Sequence, residues 1–137
     1  ADNAGVELRV RSTFRSFSEQ AVTFQYWVDL LGERQAERES ARPGHSEHQF
    51  GPAADVVSRS IGWELVTPFG ETREGKWLQA HAQQYGFAIS YPEGGEDVTG
   101  YIYEPWHIRY IGTQCSNAWY ASGMILVRFL EAVQKAS

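Results

Sequence analysis

The stretch Glu104-Pro105-Trp106-His107 is the most informative in this chain of 137 residues. Proline biases the residue before it away from helix and cannot continue a β-ladder, so a strand is predicted to begin at about His107. That strand would run to Ile111 and would place His107 and Arg109 on one face. Glu104 would lie on the preceding turn, where its carboxylate can lean over the same face. Trp106 offers an apolar wall beside it, or is simply part of the core.

A second stretch, Ser46-Glu47-His48-Gln49-Phe50-Gly51-Pro52-Ala53-Ala54-Asp55, supplies another histidine and an aspartate. His48 and Asp55 are seven residues apart, and this odd separation would point them to opposite faces of an unbroken strand. The intervening Gly51-Pro52 permits a sharp bend in the chain. A helix could also align His48 with Asp55, but Gly51-Pro52 in its middle would be strongly destabilising. We therefore predict that His48 comes from a loop and Asp55 from a short strand.

These donors match a catalytic zinc site, which has three protein ligands, an open position for water and a carboxylate base nearby. His48, Asp55 and His107 would be the ligands, and Glu104 the base. Because Cys115 is the only cysteine, neither an internal disulfide nor a thiolate zinc site can form. Each stretch alone is a weak signal, and their joint occurrence carries the prediction. The remaining histidines are poorer candidates, since one lies in a flexible stretch and one among packing residues of a helix: His45 and His81.

Size and composition predict one globular domain that covers residues 1–137. Hydrophobic residues make up 42% of the chain and aromatic residues 14%, which argues against disorder. The net charge is −5 and the basic residues are scattered, so a nucleic-acid surface is not expected. No apolar run approaches the roughly 20 residues of a membrane-spanning helix. The sequence opens without a signal peptide, as though cut from a longer protein.

The hydrophobic periodicity predicts an α+β fold, with a small, mostly antiparallel sheet and helices packed beside it. Strands are predicted at residues 6–11, 53–57, 87–91, 99–103 and 107–111, the third and fourth forming a hairpin. Helices are predicted from a capping box at Ser16 to a stop at Gly32, at residues 73–85 and at residues 116–134. Residues 33–44 are predicted to be a mobile loop, and residues 58–70 a loop with one helical turn.

On these residues the chain resembles the zinc D-alanyl-D-alanine carboxypeptidases of the vancomycin-resistance type, peptidase family M15. It is equally similar to their L,D-carboxypeptidase relatives, which trim peptidoglycan stem peptides. The matching segments follow the family's order: residues 8–16, Arg42-Pro43-Gly44-His45-Ser46-Glu47-His48, Trp77-Leu78, Tyr85-Gly86-Phe87, Tyr91-Pro92, Gly100-Tyr101 and residues 104–110. The resemblance further implies that the chain begins after the family's first helix, with residues 1–4 as the tail of that helix.

The resemblance implies that His48, Asp55 and His107 bind Zn²⁺ and that Glu104 is the catalytic base. It also makes Arg15, with help from Gln20 and Ser46, the clamp for the substrate's terminal carboxylate. Elementary chemistry agrees with this clamp, because a guanidinium fork matches a carboxylate and Arg15 directly precedes a predicted helix N-terminus. This chain departs from the family at Thr13-Phe14, where Gly-Tyr is usual, and at Phe50 and Pro52, where Thr and Leu are common. We expect the aromatic rings of residues 14 and 50 to reshape the substrate pocket.

The implied function is removal of the C-terminal D-alanine from peptidoglycan stem peptides or their precursors. Two alternatives stay open: a cell-wall endopeptidase of the endolysin type, and a zinc-containing module that binds muropeptides without cutting them. The sequence does not distinguish D,D- from L,D-specificity, nor does it reveal the oligomeric state. Because peptidoglycan lies outside the membrane, an extracytoplasmic location in the bacterial envelope or a secreted protein is expected, addressed by a segment that this chain does not contain.

Overall fold

Four strands form one antiparallel sheet in the computed structural model, which describes residues 1–136. They are β1 Arg9–Ser12, β2 Ala53–Val57, β3 Phe87–Ile89 and β4 His107–Tyr110, in the spatial order β1-β2-β4-β3. The helices are α1 Phe17–Leu31, α2 Glu33–Glu39, α3 Arg73–His81, α4 Glu96–Thr99, α5 Thr113–Ser122 and α6 Leu126–Ala136. The predicted α+β class is therefore confirmed.

The two central strands, β2 and β4, pair so that Asp55 stands directly opposite His107. On the other side of β2, Ser12 of β1 is the partner of Asp55, next to an irregularity in the pairing. Side chains of directly opposed residues in an antiparallel pair are close neighbours on one face. The register thus places both predicted strand ligands at the centre of the sheet.

The hydrophobic core is built between the sheet and the segment that contains α3. Its buried members are Val56, Phe69, Leu78, Ala82, Ile89, Trp106 and Ile108. Full burial of a side chain such as Phe69 stabilises the fold by roughly 1.5–3 kcal/mol. Trp106 belongs to this core and also lines the cleft described below, so both interpretations of this residue apply.

The predicted capping box at the start of α1 is confirmed. The Ser16 hydroxyl accepts a hydrogen bond from the backbone N–H of Glu19, and the Glu19 carboxylate accepts one from the backbone N–H of Ser16. This reciprocal pair satisfies two backbone donors that a helix N-terminus would otherwise leave without partners. It also fixes the direction in which the chain enters α1, immediately after Arg15.

The prediction of a loop at residues 33–44 is wrong for its first half, because Glu33–Glu39 forms α2. The segment has almost no apolar periodicity, since Ala36 is its only buried residue. Its stability comes instead from strong helix formers, from a hydrogen bond between Gln35 and Glu39, and from ion pairs between Arg42 and two glutamates of the helix. Such a helix leaves little trace in a hydrophobic pattern.

The predicted hairpin between residues 87–91 and 99–103 is also wrong. The second segment is not a strand: Glu96–Thr99 forms the single-turn helix α4, ended by Gly100 at a φ of 82°. Tyr101 and Ile102 of this segment line the cleft instead, while β3 pairs with β4. The predicted closing helix is divided at Gly123 into α5 and α6. Within residues 1–136, no helix combines the length and apolar character needed to cross a bilayer.

Candidate metal centre

Three side chains predicted as metal ligands converge at the centre of the sheet: His48, Asp55 and His107. Each is no more than 4% exposed, and their candidate ligand atoms all lie within 4.8 Å of one another. Asp55 and His107 come from the paired strands β2 and β4. His48 comes from a short 3₁₀ turn, Glu47–Phe50, and Gly51 then takes a φ of 88° to redirect the chain into β2. A residue with a Cβ would be strained at that φ.

The His48 ring is oriented by the backbone of the segment before α1. Its Nδ1 lies 2.6 Å from the carbonyl oxygen of Thr13. A carbonyl can only accept a hydrogen bond, so the proton of the neutral ring is on Nδ1. Its Nε2 is then free to bind a cation, and this atom lies 3.3 Å from Asp55 Oδ2.

The His107 ring is oriented in the opposite sense by a carboxylate. Its Nε2 lies 2.9 Å from Glu47 Oε2, and its Nδ1 lies 3.0 Å from Asp55 Oδ1. The donor atoms that face one another are therefore Nε2 of one histidine, a carboxylate, and Nδ1 of the other histidine. This nitrogen and oxygen set, with both remaining ring nitrogens hydrogen-bonded outward, fits a zinc ion.

Without a bound metal ion, a proton on His107 supplies positive charge next to the carboxylates of Asp55 and Glu47. Burial alone would lower the pKa of His107, but hydrogen bonds to Asp55 and Glu47 outweigh it and raise this pKa to about 9. Burial would likewise raise the pKa of Asp55, yet the hydrogen bonds from both histidines hold it well below its usual range. A positive charge is thus favoured at the point where the three side chains meet.

This arrangement predicts a pH dependence of stability for the metal-free protein. The pKa of folded His107, about 9, lies above the ordinary 6.5, so its stabilising effect is complete below pH 6.5 and is lost as the pH rises through 9. We expect the melting temperature to fall by on the order of 10 °C between these pH values. Zinc-loaded protein, measured in parallel, should not show this fall, because loss of the proton favours metal binding. Equal pH profiles for both forms would contradict the expectation.

Glu104 lies on the turn before β4, as predicted, with its Oε2 3.8 Å from His107 Nδ1. Its backbone N–H donates to the carbonyl of Tyr91, and its own carbonyl accepts from the N–H of His107, which anchors the turn. Burial raises the pKa of Glu104 to about 8, although the nearby His107 opposes the rise. A divalent cation at the three ligands would lower this pKa and favour the carboxylate form.

The predicted substrate residues Arg15, Gln20 and Ser46 line the same cleft as the three candidate metal ligands, a cavity of about 760 Å³. Arg15 donates through Nη1 to Gln20 Oε1 at 2.8 Å and through Nη2 to Ser12 Oγ at 3.2 Å. Its backbone N–H donates to the carbonyl of His48 at 3.2 Å. The guanidinium is therefore held at a fixed position relative to the three candidate metal ligands, with N–H groups left for an anion.

Gln20 is a buried residue of the cleft wall that holds Arg15 in place. Its side chain is fully buried, and its amide nitrogen donates to the Ser40 hydroxyl and to the Ala41 carbonyl. Its amide oxygen accepts a hydrogen bond from Arg15, so both the nitrogen and the oxygen of this amide are hydrogen-bonded within the protein. The geometry thus makes Gln20 an orienting residue for the guanidinium, while Ser46 presents a buried hydroxyl that does not cap its own turn.

The remaining predictions about the pocket fare differently. Phe14 and Phe50 are 63% and 76% exposed, and neither lines the cleft, so the expected reshaping of the pocket is wrong. His45 is exposed, and His81 packs against Trp77 at a ring distance of 4.9 Å, so neither belongs to the ligand cluster.

Glu47 is the residue of this site to which sequence reasoning assigns no role. It precedes His48 and carries the carboxylate that meets His107, and it also accepts hydrogen bonds from Ser90 and Arg109. Burial would raise its pKa, but these hydrogen bonds, led by that from His107, lower it to about 2. The sequence offers one indication of such a role: the motif of residues 46–55 contains a second carboxylate, Glu47, in addition to the predicted ligand Asp55.

Comparison with known proteins gives consistent matches over most of the chain. The sequence model of the family described as VanY, D-alanyl-D-alanine carboxypeptidase, matches residues 1–113. The protein YodJ of Bacillus subtilis is 46% identical over 135 residues, which cover 98% of this chain and 50% of YodJ. The chain thus spans half the length of this relative.

Solved structures match the fold as well. The structure of the LdcB LD-carboxypeptidase has a TM-score of 0.87 and 45% identity, covering 95% of this chain and 61% of LdcB. The vancomycin-resistance D,D-pentapeptidase VanY, solved in complex with Zn(II), has a TM-score of 0.81 and 29% identity, covering 95% of this chain and 75% of that protein.

Proposed function

Because the chain belongs to the VanY family of D-alanyl-D-alanine carboxypeptidases, we propose that it is a zinc-dependent carboxypeptidase acting on peptidoglycan stem peptides or their precursors. It would remove the C-terminal D-alanine. The observation that carries this proposal is the meeting, in one cleft, of a buried His-Asp-His ligand set, a buried carboxylate and a guanidinium. Because peptidoglycan lies outside the membrane, we expect the protein to act there.

His48 Nε2, the Asp55 carboxylate and His107 Nδ1 would hold the zinc ion. When bound there, zinc supplies Lewis-acid polarisation of a carbonyl group and lowers the pKa of water towards about 7. The burial of the three side chains excludes bulk water from around this charge, which strengthens its effect on a bound peptide.

Glu104 would serve as the general base and then as the general acid. Its carboxylate takes a proton from the attacking water as the new C–O bond forms at the scissile carbonyl. It then gives that proton to the amide nitrogen as the C–N bond breaks, so that D-alanine leaves as an amine. Its position next to His107 on the turn suits both steps, and a site that only bound peptides would gain nothing from a base there.

Arg15 would bind the terminal carboxylate of the substrate. The hydrogen bonds to Gln20 and Ser12 hold its guanidinium, and the backbone bond to His48 fixes its distance from the metal ligands. A carboxylate held there brings the last peptide bond to the metal and Glu104, which restricts cleavage to one residue. The rest of the stem peptide would then lie along other lining residues of the cleft, such as Tyr26 and Trp27 of α1.

The product analysis that tests this function is mass spectrometry of muropeptides incubated with zinc-loaded protein. We expect loss of one alanine from free pentapeptide or tetrapeptide stems and no loss after addition of a chelator. The pentapeptide reports D,D-activity and the tetrapeptide L,D-activity. Cleavage of cross-linked wall with free stems left intact would favour the endopeptidase, and binding without any product would favour a recognition module.

The carboxylate clamp makes a separate prediction. Arg15→Ala is expected to lower kcat/KM by about 10- to 150-fold, because a hydrogen bond to a charged group contributes roughly 1.5–3 kcal/mol. Steady-state kinetics on a stem peptide and on its C-terminal amide measure the effect. The amide should be a poor substrate for the native protein and should lose little more with the variant.

Arg11→Ala is the matched control, because Arg11 is exposed and lies outside the cleft. This variant should leave kcat/KM unchanged for both the stem peptide and its C-terminal amide. If Arg15→Ala still preferred the free carboxylate over the amide by the native factor, another group would be the clamp.

A further inference from the structure

Glu47 is a largely buried carboxylate for which the proposed hydrolysis has no step. Its Oε2 lies 2.9 Å from His107 Nε2 and accepts a hydrogen bond from Ser90 Oγ at 2.7 Å. Its Oε1 accepts a hydrogen bond from Arg109 Nη1 at 2.8 Å. Both oxygens are thus engaged by groups from β4 and from the residue after β3, while the side chain remains 18% exposed.

Packing alone does not determine the orientation of the His107 ring. Tyr91 packs against it with ring centroids 4.9 Å apart, and His48 meets it edge-on, also at 4.9 Å. These contacts fix the plane of the imidazole. A ring flipped by 180° would fit nearly as well, because ring nitrogen and C–H groups are similar in size. Only a hydrogen-bond partner distinguishes the two orientations.

We propose that Glu47 is the positioning residue of the metal centre: it accepts the Nε2–H of His107 and so keeps Nδ1 directed at the metal. The inference rests on the proposed zinc site and extends it to the support of one ligand. A carboxylate on the far nitrogen of a metal-binding histidine fixes its tautomer and increases its basicity. Glu47 also neighbours His48 in the chain, so a single residue connects two ligands.

The surroundings of Glu47 suit this role. Arg109 lies two residues after His107, on the same face of β4, and its ion pair compensates the charge of the buried carboxylate. Ser90 supplies a third donor. With three donors on two oxygens, the carboxylate has little freedom to turn away from His107, which is what an orienting group requires.

Glu47→Gln tests the proposal with almost no change in size. The side-chain amide has one accepting oxygen, so it can accept from either Arg109 or His107 but not from both. If the oxygen faces His107, the NH₂ group faces the N–H of Arg109; if it faces Arg109, the NH₂ group faces Nε2 of His107 and favours the wrong tautomer. We expect the zinc dissociation constant to rise about 10- to 100-fold. The measurement is a competition titration of metal-free protein against a chromophoric chelator, with turnover not required.

Two controls accompany this titration. Glu71→Gln makes the same chemical change at a side chain that is 78% exposed, and it should leave zinc affinity unchanged. Ser90→Ala removes one donor to Glu47 but keeps the acceptor for His107, so its effect should be much smaller than that of Glu47→Gln. Native zinc affinity in Glu47→Gln would overturn the proposal.

A second measurement needs no variant and therefore holds even if Glu47→Gln fails to fold. Long-range ¹H–¹⁵N correlation spectra of the zinc-loaded native protein report which nitrogen of each histidine binds metal. We expect His107 to be bound through Nδ1 with a proton on Nε2, and binding through Nε2 would overturn the proposal. Either failure would leave the zinc site itself standing, since that site fails only if the native protein binds no zinc ion between His48, Asp55 and His107.

Discussion

Glu104→Gln is expected to lower kcat on stem peptides by about 10³-fold while the variant still binds one zinc ion per chain. The amide keeps the size of the carboxyl group but cannot take a proton from water, and a positioned general base contributes roughly 10²–10⁴-fold. Zinc binding should persist, because Glu104 is not one of the three grouped ligands. Steady-state kinetics and metal analysis of the same preparation measure both quantities.

The matched control for this variant is Glu93→Gln, an exposed glutamate on the turn after Tyr91-Pro92. It should retain native kcat. Turnover by Glu104→Gln at a rate close to native would show that another group moves the proton. Loss of zinc together with activity would instead identify Glu104 as a ligand, and the assignment of the base would then be wrong.

Asp55→Asn is expected to weaken zinc binding by more than about 100-fold and to abolish hydrolysis at ordinary zinc concentrations. The carboxylate lies between His48 Nε2 and His107 Nδ1, so its loss removes the negative ligand and places an NH₂ group beside one of the ring nitrogens. The free energy of zinc binding to structural sites is about 10–16 kcal/mol, so one ligand accounts for a substantial share of this binding free energy. The effect should exceed that of removing the supporting Glu47.

Asp29→Asn is the control for this substitution, because Asp29 is exposed on α1, where its carboxylate accepts a hydrogen bond from Gln25. It should bind zinc as the native protein does. Competition titration gives the dissociation constant for each variant, and thermal melting of the metal-free forms verifies folding. Native zinc affinity in Asp55→Asn would remove Asp55 from the ligand set.

The central part of the fold could be predicted because local chemistry points to it. Pro105 forces a turn before β4, Gly51-Pro52 forces one before β2, and the Ser16 capping box starts α1. Each is a short-range constraint that a single sequence displays. The resemblance to a known family then supplied the grouping of the residues that these turns present.

The missed elements depend on contacts that a hydrophobic pattern does not encode. Charged side chains stabilise α2 with only Ala36 as its buried anchor, so its periodicity is nearly absent. Residues 99–103 alternate like a strand, but their backbone pairs elsewhere, as when the N–H of Ile102 donates to the carbonyl of Arg38. In both cases tertiary contacts override the local signal.

The site shows the same limit at the level of single atoms. Asp55 and His107 are 52 residues apart, and their direct opposition follows from the pairing of β2 with β4, which the sequence alone does not reveal. The role of Glu47 depends on a contact with His107 that spans 60 residues. Motifs identify which donors are available, whereas strand register brings Asp55 and His107 together and the hydrogen bonds of His48 with Thr13 and of His107 with Glu47 select the ring nitrogens.

Anomalous diffraction at the zinc absorption edge, from crystals of zinc-loaded native protein, tests the central claim most directly. We expect one strong peak per chain, within about 2.0–2.2 Å of His48 Nε2, an Asp55 oxygen and His107 Nδ1. A chelator-treated crystal is the control and should show no peak. A principal peak at His45 or His81, or its absence between the three side chains, would contradict the zinc centre and the hydrolysis derived from it.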